Sequence, residues 1–123
     1  VHLLYIGLFG AFGCLSRYLV SGWVYAWLGR GWPFGTLAVN ILGSLLLGLV
    51  MEGSLRTALL GPGLRMGITV GFMGGFTTFS TFSFETVRLL EEGSWLLAGA
   101  NAAANLVFCL LGAGIGIMLA RQL

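Results

Sequence analysis

The chain has 123 residues, of which 58% are hydrophobic and only 8% charged, and its mean hydropathy is +0.98. A soluble domain carries about 25% charged residues, so this chain has too few to solvate a globule, and the solvent for most of its surface is expected to be lipid. There is no lysine and no aspartate, and the net charge of +2 is spread over six separate arginines rather than a basic run, which gives no footing for nucleic acid.

A spanning helix needs about 20 mostly apolar residues. Four segments qualify, which predicts one all-α integral membrane domain over residues 1–123. The N-terminus has neither the positive flank nor the cleavage site of a signal peptide, so all of it is taken as mature protein. The first segment runs from Leu3 to Leu28 and carries Gly7, Gly10 and Gly13 ahead of Arg17 and Tyr18. Small residues three apart let another helix come close. Arg17 has two readings of equal weight: it snorkels to the nearer interface, or it faces protein or water at depth. Cys14, and Cys109 further on, read as small packed hydrophobes; His2 is given no role.

The second segment, Phe34 to Met51, contains Thr36 and Asn40 four apart, hence on one helix face. Asn40 is the only amide in its run. Its ordinary use is an interhelical hydrogen bond, and its two N–H groups can also serve an anion.

The third segment, Leu64 to Leu90, is unlike an ordinary span. In its middle stands Gly74-Gly75-Phe76-Thr77-Thr78-Phe79-Ser80-Thr81-Phe82. Paired glycines weaken a helix, so a break is expected near Gly74–Thr78. Interrupted helices at bilayer depth line protein or wet cavities, and their carbonyls can hold a cation. Thr77, Thr81 and Glu85 follow at i, i+4 and i+8, which places them on one face if helix continues, with Phe79 and Phe82 beside them. A phenyl ring has a positive edge that can attract a small anion, and Ser80, Thr81 and Asn40 can replace lost water. The competing reading is that the glycines permit close packing and the rings fill a core.

The fourth segment, Trp95 to Leu119, stacks Asn101 and Asn105 on one face and ends in Gly112, Gly114 and Gly116. Two amides in lipid call for a partner or a wet cavity. Four spans put both termini and the 52–63 link on one side with Arg56, Arg65 and Arg121. The other side has Arg30 and Arg88, offset by Glu91 and Glu92. Orientation follows the Lys/Arg excess, and three against two is nearly none. Such a chain is expected to insert both ways and to pair with an inverted copy.

In the order of these elements the chain resembles the Fluc (CrcB) fluoride channel family over essentially its whole length. The carrying motifs are Gly7-x-x-Gly10-x-x-Gly13 before Arg17-Tyr18, Gly35-Thr36-Leu37-x-Val39-Asn40-x-x-Gly43, and the long run from Gly71 to Glu85. The resemblance implies an antiparallel dual-topology homodimer in the bacterial inner membrane. It implies no enzymatic activity, but passive fluoride export through two pores and a structural Na⁺ where the broken helices cross. By position it implies Gly74 and Thr77 carbonyls on Na⁺, with Asn40, Phe79 and Phe82 in the pore and Ser80, Thr81, Glu85 and Thr36 along it. In the fourth helix the family often has Tyr and then Ser, where this chain has Asn101 and Asn105. Two rivals are a small dual-topology proton-coupled drug exporter and a non-conducting assembly subunit. The first helix lacks the buried carboxylate that proton coupling needs.

Overall fold

A computed structural model describes all 123 residues. The chain is all helix and turn. Helix α1 spans His2–Leu28 and α2 spans Phe34–Arg56. The third apolar stretch is built in pieces: α3 (Pro62–Met66), a widened turn at Gly67–Phe72, α4 (Met73–Phe76) and α5 (Phe79–Glu91). Helix α6 spans Trp95–Ala120. Three helices, α1, α2 and α6, are long and apolar enough to cross a membrane; no single piece of the third stretch is.

The boundaries match the expected segments at most ends. Helix α2 runs on past Met51 to Arg56, and within this extension Glu52 pairs with Arg121 Nε beyond α6 at 3.1 Å. It stops where Thr57 turns extended, with both its N–H and its hydroxyl donated to Gly53 O. The 29–33 and 92–94 turns each use a glycine at positive φ, Gly29 and Gly93, a conformation that side chains with a Cβ rarely adopt.

Helices pair where small residues let backbones meet. The most extensive pairing joins α2 and α6. A Cβ on Gly112 would lie 3.2 Å from Ile41 O, and one on Gly116 would lie 2.8 Å from Leu49 N. Gly114 faces open space instead. Helix α1 receives the third stretch in the same way: Gly10 sits against Gly71, and Gly13 against the Phe72 backbone. Gly7, part of the same glycine spacing, has no such neighbour. The widened turn at Gly67–Phe72 coincides with this approach, since Gly67 lies on the Phe9 ring and a Cβ on Gly71 would be 2.7 Å from Ile6 O.

Burial is inverted relative to a soluble domain. The buried apolar side chains are few (Val39, Met73, Phe76, Ala98, Ala120), while Thr36, Asn101 and Asn105 are buried polar groups. Large apolar side chains cover the outside along α1 and α6, as a lipid solvent requires. Trp23, Trp27 and Trp95 are exposed near helix ends, and Trp32 donates to Leu97 O at 3.0 Å. Both cysteines are free; Cys109 is half-buried, but Cys14 is exposed rather than packed.

Candidate functional site

The interruption of the third stretch lies at Thr77 and Thr78. Thr77 has φ −93° and ψ 160°, and Thr78 has φ −152° and ψ 116°. The break falls inside the expected window, but not on the glycines. Gly74 and Gly75 are helical within α4. Their small size serves approach instead: a Cβ on Gly75 would be 2.7 Å from Gly10 O, while Gly74 faces open space.

Two threonines make the break because each hydroxyl stabilises it. Thr77 closes α4, giving both its N–H (3.0 Å) and its Oγ1 (2.9 Å) to Met73 O. Thr78 opens α5 as its N-cap: Oγ1 accepts from Thr81 N at 3.1 Å and donates to Thr81 Oγ1 at 2.9 Å. A capping hydroxyl of this kind contributes about 1 kcal/mol. Asn40 then holds the exposed peptide edge from α2. Its Oδ1 accepts from Thr78 N at 2.8 Å and its Nδ2 donates to Thr78 O at 3.1 Å. An amide side chain here pairs with one residue's N–H and C=O as a neighbouring strand would.

These bonds decide which carbonyls are left over. In a continuous helix Gly74 O would accept from Thr78 N, and Thr77 O from Thr81 N. Thr78 N goes to Asn40 and Thr81 N to the Thr78 hydroxyl, so both carbonyls lose their helical donors. Gly75 O, also at the end of α4, is taken by Arg17 Nε at 3.0 Å. Arg17 therefore turns inward to the break.

Beside the break is an open cavity of about 610 Å³ whose lining includes Asn40, Gly74, Thr77, Phe79, Phe82 and Asn105. Phe79 is 78% exposed, and its ring meets that of Phe82 at 5.3 Å between centroids with a 53° tilt. Ser80 is exposed and Thr81 half-buried; Ser80 Oγ lies 3.4 Å from Thr78 Oγ1. Both N–H groups of Asn40 are engaged, the second by Asn105 Oδ1 at 3.1 Å. They are not free donors, as the sequence had suggested they could be.

Thr36 and Glu85 form a separate group. The Tyr25 hydroxyl donates to Glu85 Oε2 at 3.2 Å and lies 3.5 Å from Thr36 Oγ1. Glu85 Oε1 is buried without a hydrogen-bond partner. Tyr25 and Glu85 line a second cavity of about 320 Å³ with Arg30, Trp32, Arg88 and Glu92. The single polar line expected through Thr77, Thr81 and Glu85 is thus divided, because Thr77 is not part of α5. Tyr25 was not singled out from sequence. Its only signal was a phenol seven residues after Tyr18 on an apolar helix, which is ordinary near an interface.

The chain is similar to known proteins over its whole length. Residues 4–117 match the family described as CrcB-like protein, Camphor Resistance (CrcB). A fluoride-specific ion channel FluC of Syntrophotalea carbinolica is 68% identical over 123 residues, covering all of both chains. Proteins of the same name from Geobacter metallireducens and Geobacter sulfurreducens are 58% and 56% identical. They match over 96% and 98% of this chain and 95% and 98% of their own lengths. With three helices long and apolar enough to cross a membrane and bacterial relatives of this kind, the chain is a multi-pass protein of the bacterial inner membrane. It belongs to the CrcB family.

Proposed function

We propose that this chain is a passive fluoride channel, working as an antiparallel homodimer of four-span subunits that lets fluoride out of the cytoplasm. The observation that carries the reading is the break at Thr77–Thr78. There two carbonyls without helical donors lie beside an open cavity walled by Phe79 and Phe82. A channel named for fluoride at 68% identity over the full chain supports the ion assigned.

An exposed aromatic and unpaired carbonyls at the middle of a membrane chain need cover. A second, inverted copy crossing at the same break supplies it. The chain's small size and near-even arginine distribution favour that arrangement over a one-chain pore. The Gly74 and Thr77 carbonyls of two copies offer four hard oxygens, a donor set suited to Na⁺. Na⁺ bound there supplies a fixed positive charge that favours anions in the passages alongside.

The chain's own groups do the rest. The edges of Phe79 and Phe82 present positive potential without a full charge, and Ser80 and Thr81 offer hydroxyls in place of water. Asn40 holds Thr78, and with it the start of α5, and can reach an anion only by exchanging its bond to Asn105 Oδ1. Glu85 and Tyr25, backed by the buried Thr36, stand at the mouth of each passage. Sites of moderate strength in series permit exit as well as entry. Two such passages per dimer follow from the symmetry.

Purified protein in liposomes loaded with fluoride tests the reading. Release on adding a potassium ionophore, without a proton gradient and with chloride far behind, is expected. Transport that needs a proton gradient and carries organic cations would overturn it in favour of an exporter. Absence of flux from folded, dimeric protein would leave an assembly subunit.

A further inference from the structure

Helix α5 carries the two rings of the cavity, yet none of its residues is buried. It packs on α6 and only lightly on α2. Apolar packing therefore does little to fix where Phe79 and Phe82 stand. Polar contacts do more: the Tyr25 hydroxyl ties Glu85 to α1 at 3.2 Å, and two further anchors hold α5 from α2 and α6. One is Thr78, at the start of the helix, held by Asn40. The other is Thr86, two turns further on, whose Oγ1 accepts from Asn101 Nδ2 at 2.9 Å. Thr86 in turn donates to Phe82 O at 2.8 Å.

The two anchors are joined. Asn105 gives its Nδ2 to Asn101 O and to Asn101 Oδ1, both at 3.0 Å. Its Oδ1 accepts from Asn40 Nδ2 at 3.1 Å. An unbroken path thus runs from Thr86, midway along α5, through Asn101 and Asn105 of α6 and Asn40 of α2 to the Thr78 backbone at the start of the helix. Asn101 is fully buried and Asn105 is 7% exposed, so water does not substitute for these partners. The direction of each amide is fixed by its neighbour. Turning Asn105 over would set its Nδ2 against Asn40 Nδ2 and its oxygen against two oxygens of Asn101. Buried polar groups left facing like groups lose far more than one hydrogen bond.

We infer that Asn101 and Asn105 are positioning residues. They form an amide relay that sets the register of α5, and so of Phe79 and Phe82, by locking Asn40 on Thr78 at the helix start and holding Thr86 midway along it. The effect on flux rests on the conduction reading above; the effect on α5 does not.

The test is backbone hydrogen exchange, together with fluoride efflux, on the full chain in liposomes. Asn105→Ala is expected to speed exchange in 77–82 by about tenfold, since the bond holding Asn40 goes, and to lower fluoride efflux. Thr86→Val removes the far acceptor together with the local bond to Phe82 O. The relay predicts that it speeds exchange by about fivefold both locally, in 82–90, and eight residues away at the Thr78 amide, which Asn40 holds. A purely local packing role predicts the first change without the second. Exchange of the Thr78 amide within twofold of wild type for Thr86→Val overturns the relay, whatever Asn105→Ala does, and Thr86→Val decides alone if Asn105→Ala does not fold. Wild-type protein that conducts no fluoride would end the conduction reading but leave the exchange result to decide the relay.

Discussion

Asn40→Leu removes the amide that holds the break while keeping the side chain's size and shape. Three hydrogen bonds go: Thr78 N to Oδ1 at 2.8 Å, and Nδ2 to Thr78 O and to Asn105 Oδ1, each at 3.1 Å. A typical intramolecular hydrogen bond contributes about 1 kcal/mol net, so the ordered break loses about 3 kcal/mol, or roughly a hundredfold in its population relative to loosened forms. Fluoride efflux from liposomes is expected to fall by about that factor, and Thr78 amide exchange to rise. The fold should survive, because the α2–α6 pairing rests on Gly112 and Gly116 rather than on Asn40. Efflux within threefold of wild type, with Thr78 exchange unchanged, would refute the claim that Asn40 maintains the break.

Phe79→Ile keeps an apolar side chain but removes the ring edge. Efflux should drop at least tenfold while the dimer persists on size exclusion, and unchanged efflux would remove the ring-edge argument. Purification with a larger monovalent cation replacing Na⁺ throughout should lower the active fraction, and Na⁺ added back should restore it. Activity indifferent to Na⁺ counts against the carbonyl site at Gly74 and Thr77.

Much of this was legible in the sequence because membrane helices are dictated by composition. Long apolar runs bounded by Gly29, Pro33 and Gly93 give α1, α6 and the start of α2 to within a residue, although α2 runs five residues past the expected end at Met51. The position of the break was legible to within a few residues, but its cause was not. Glycine pairs do weaken helices, yet Gly75 is held in helix by its approach to Gly10. The interruption passes to the threonines, whose hydroxyls can cap both ends. That outcome depends on Asn40 being opposite Thr78, a fact of tertiary structure invisible to a local reading. The same holds for Asn40 itself: an amide's capacity to donate can be read from sequence, but not which groups take the protons. Tyr25 and Glu85, sixty residues apart, meet only because α1 and α5 are brought together.

The break also bears on assembly. Gly74 has open space where a Cβ would stand, although it sits beside a carbonyl deprived of its donor and a ring that is 78% exposed. An unsatisfied carbonyl facing hydrocarbon costs several kcal/mol, so each chain carries a strong penalty there unless another surface covers it. A copy related by a two-fold axis through the break places Gly74 near its own counterpart. Gly74→Cys, in a background with Cys14 and Cys109 replaced by serine, should then form a disulfide-linked dimer in native membranes under mild oxidation. Cα atoms within about 7 Å are needed for that bond, which makes the result a distance measurement. The single cysteine moved to Leu96, on an outward face of α6 that is 86% exposed, should not crosslink. Crosslinking at Leu96 but not at Gly74 would mean that chains meet elsewhere, and the paired carbonyls could not form one cation site.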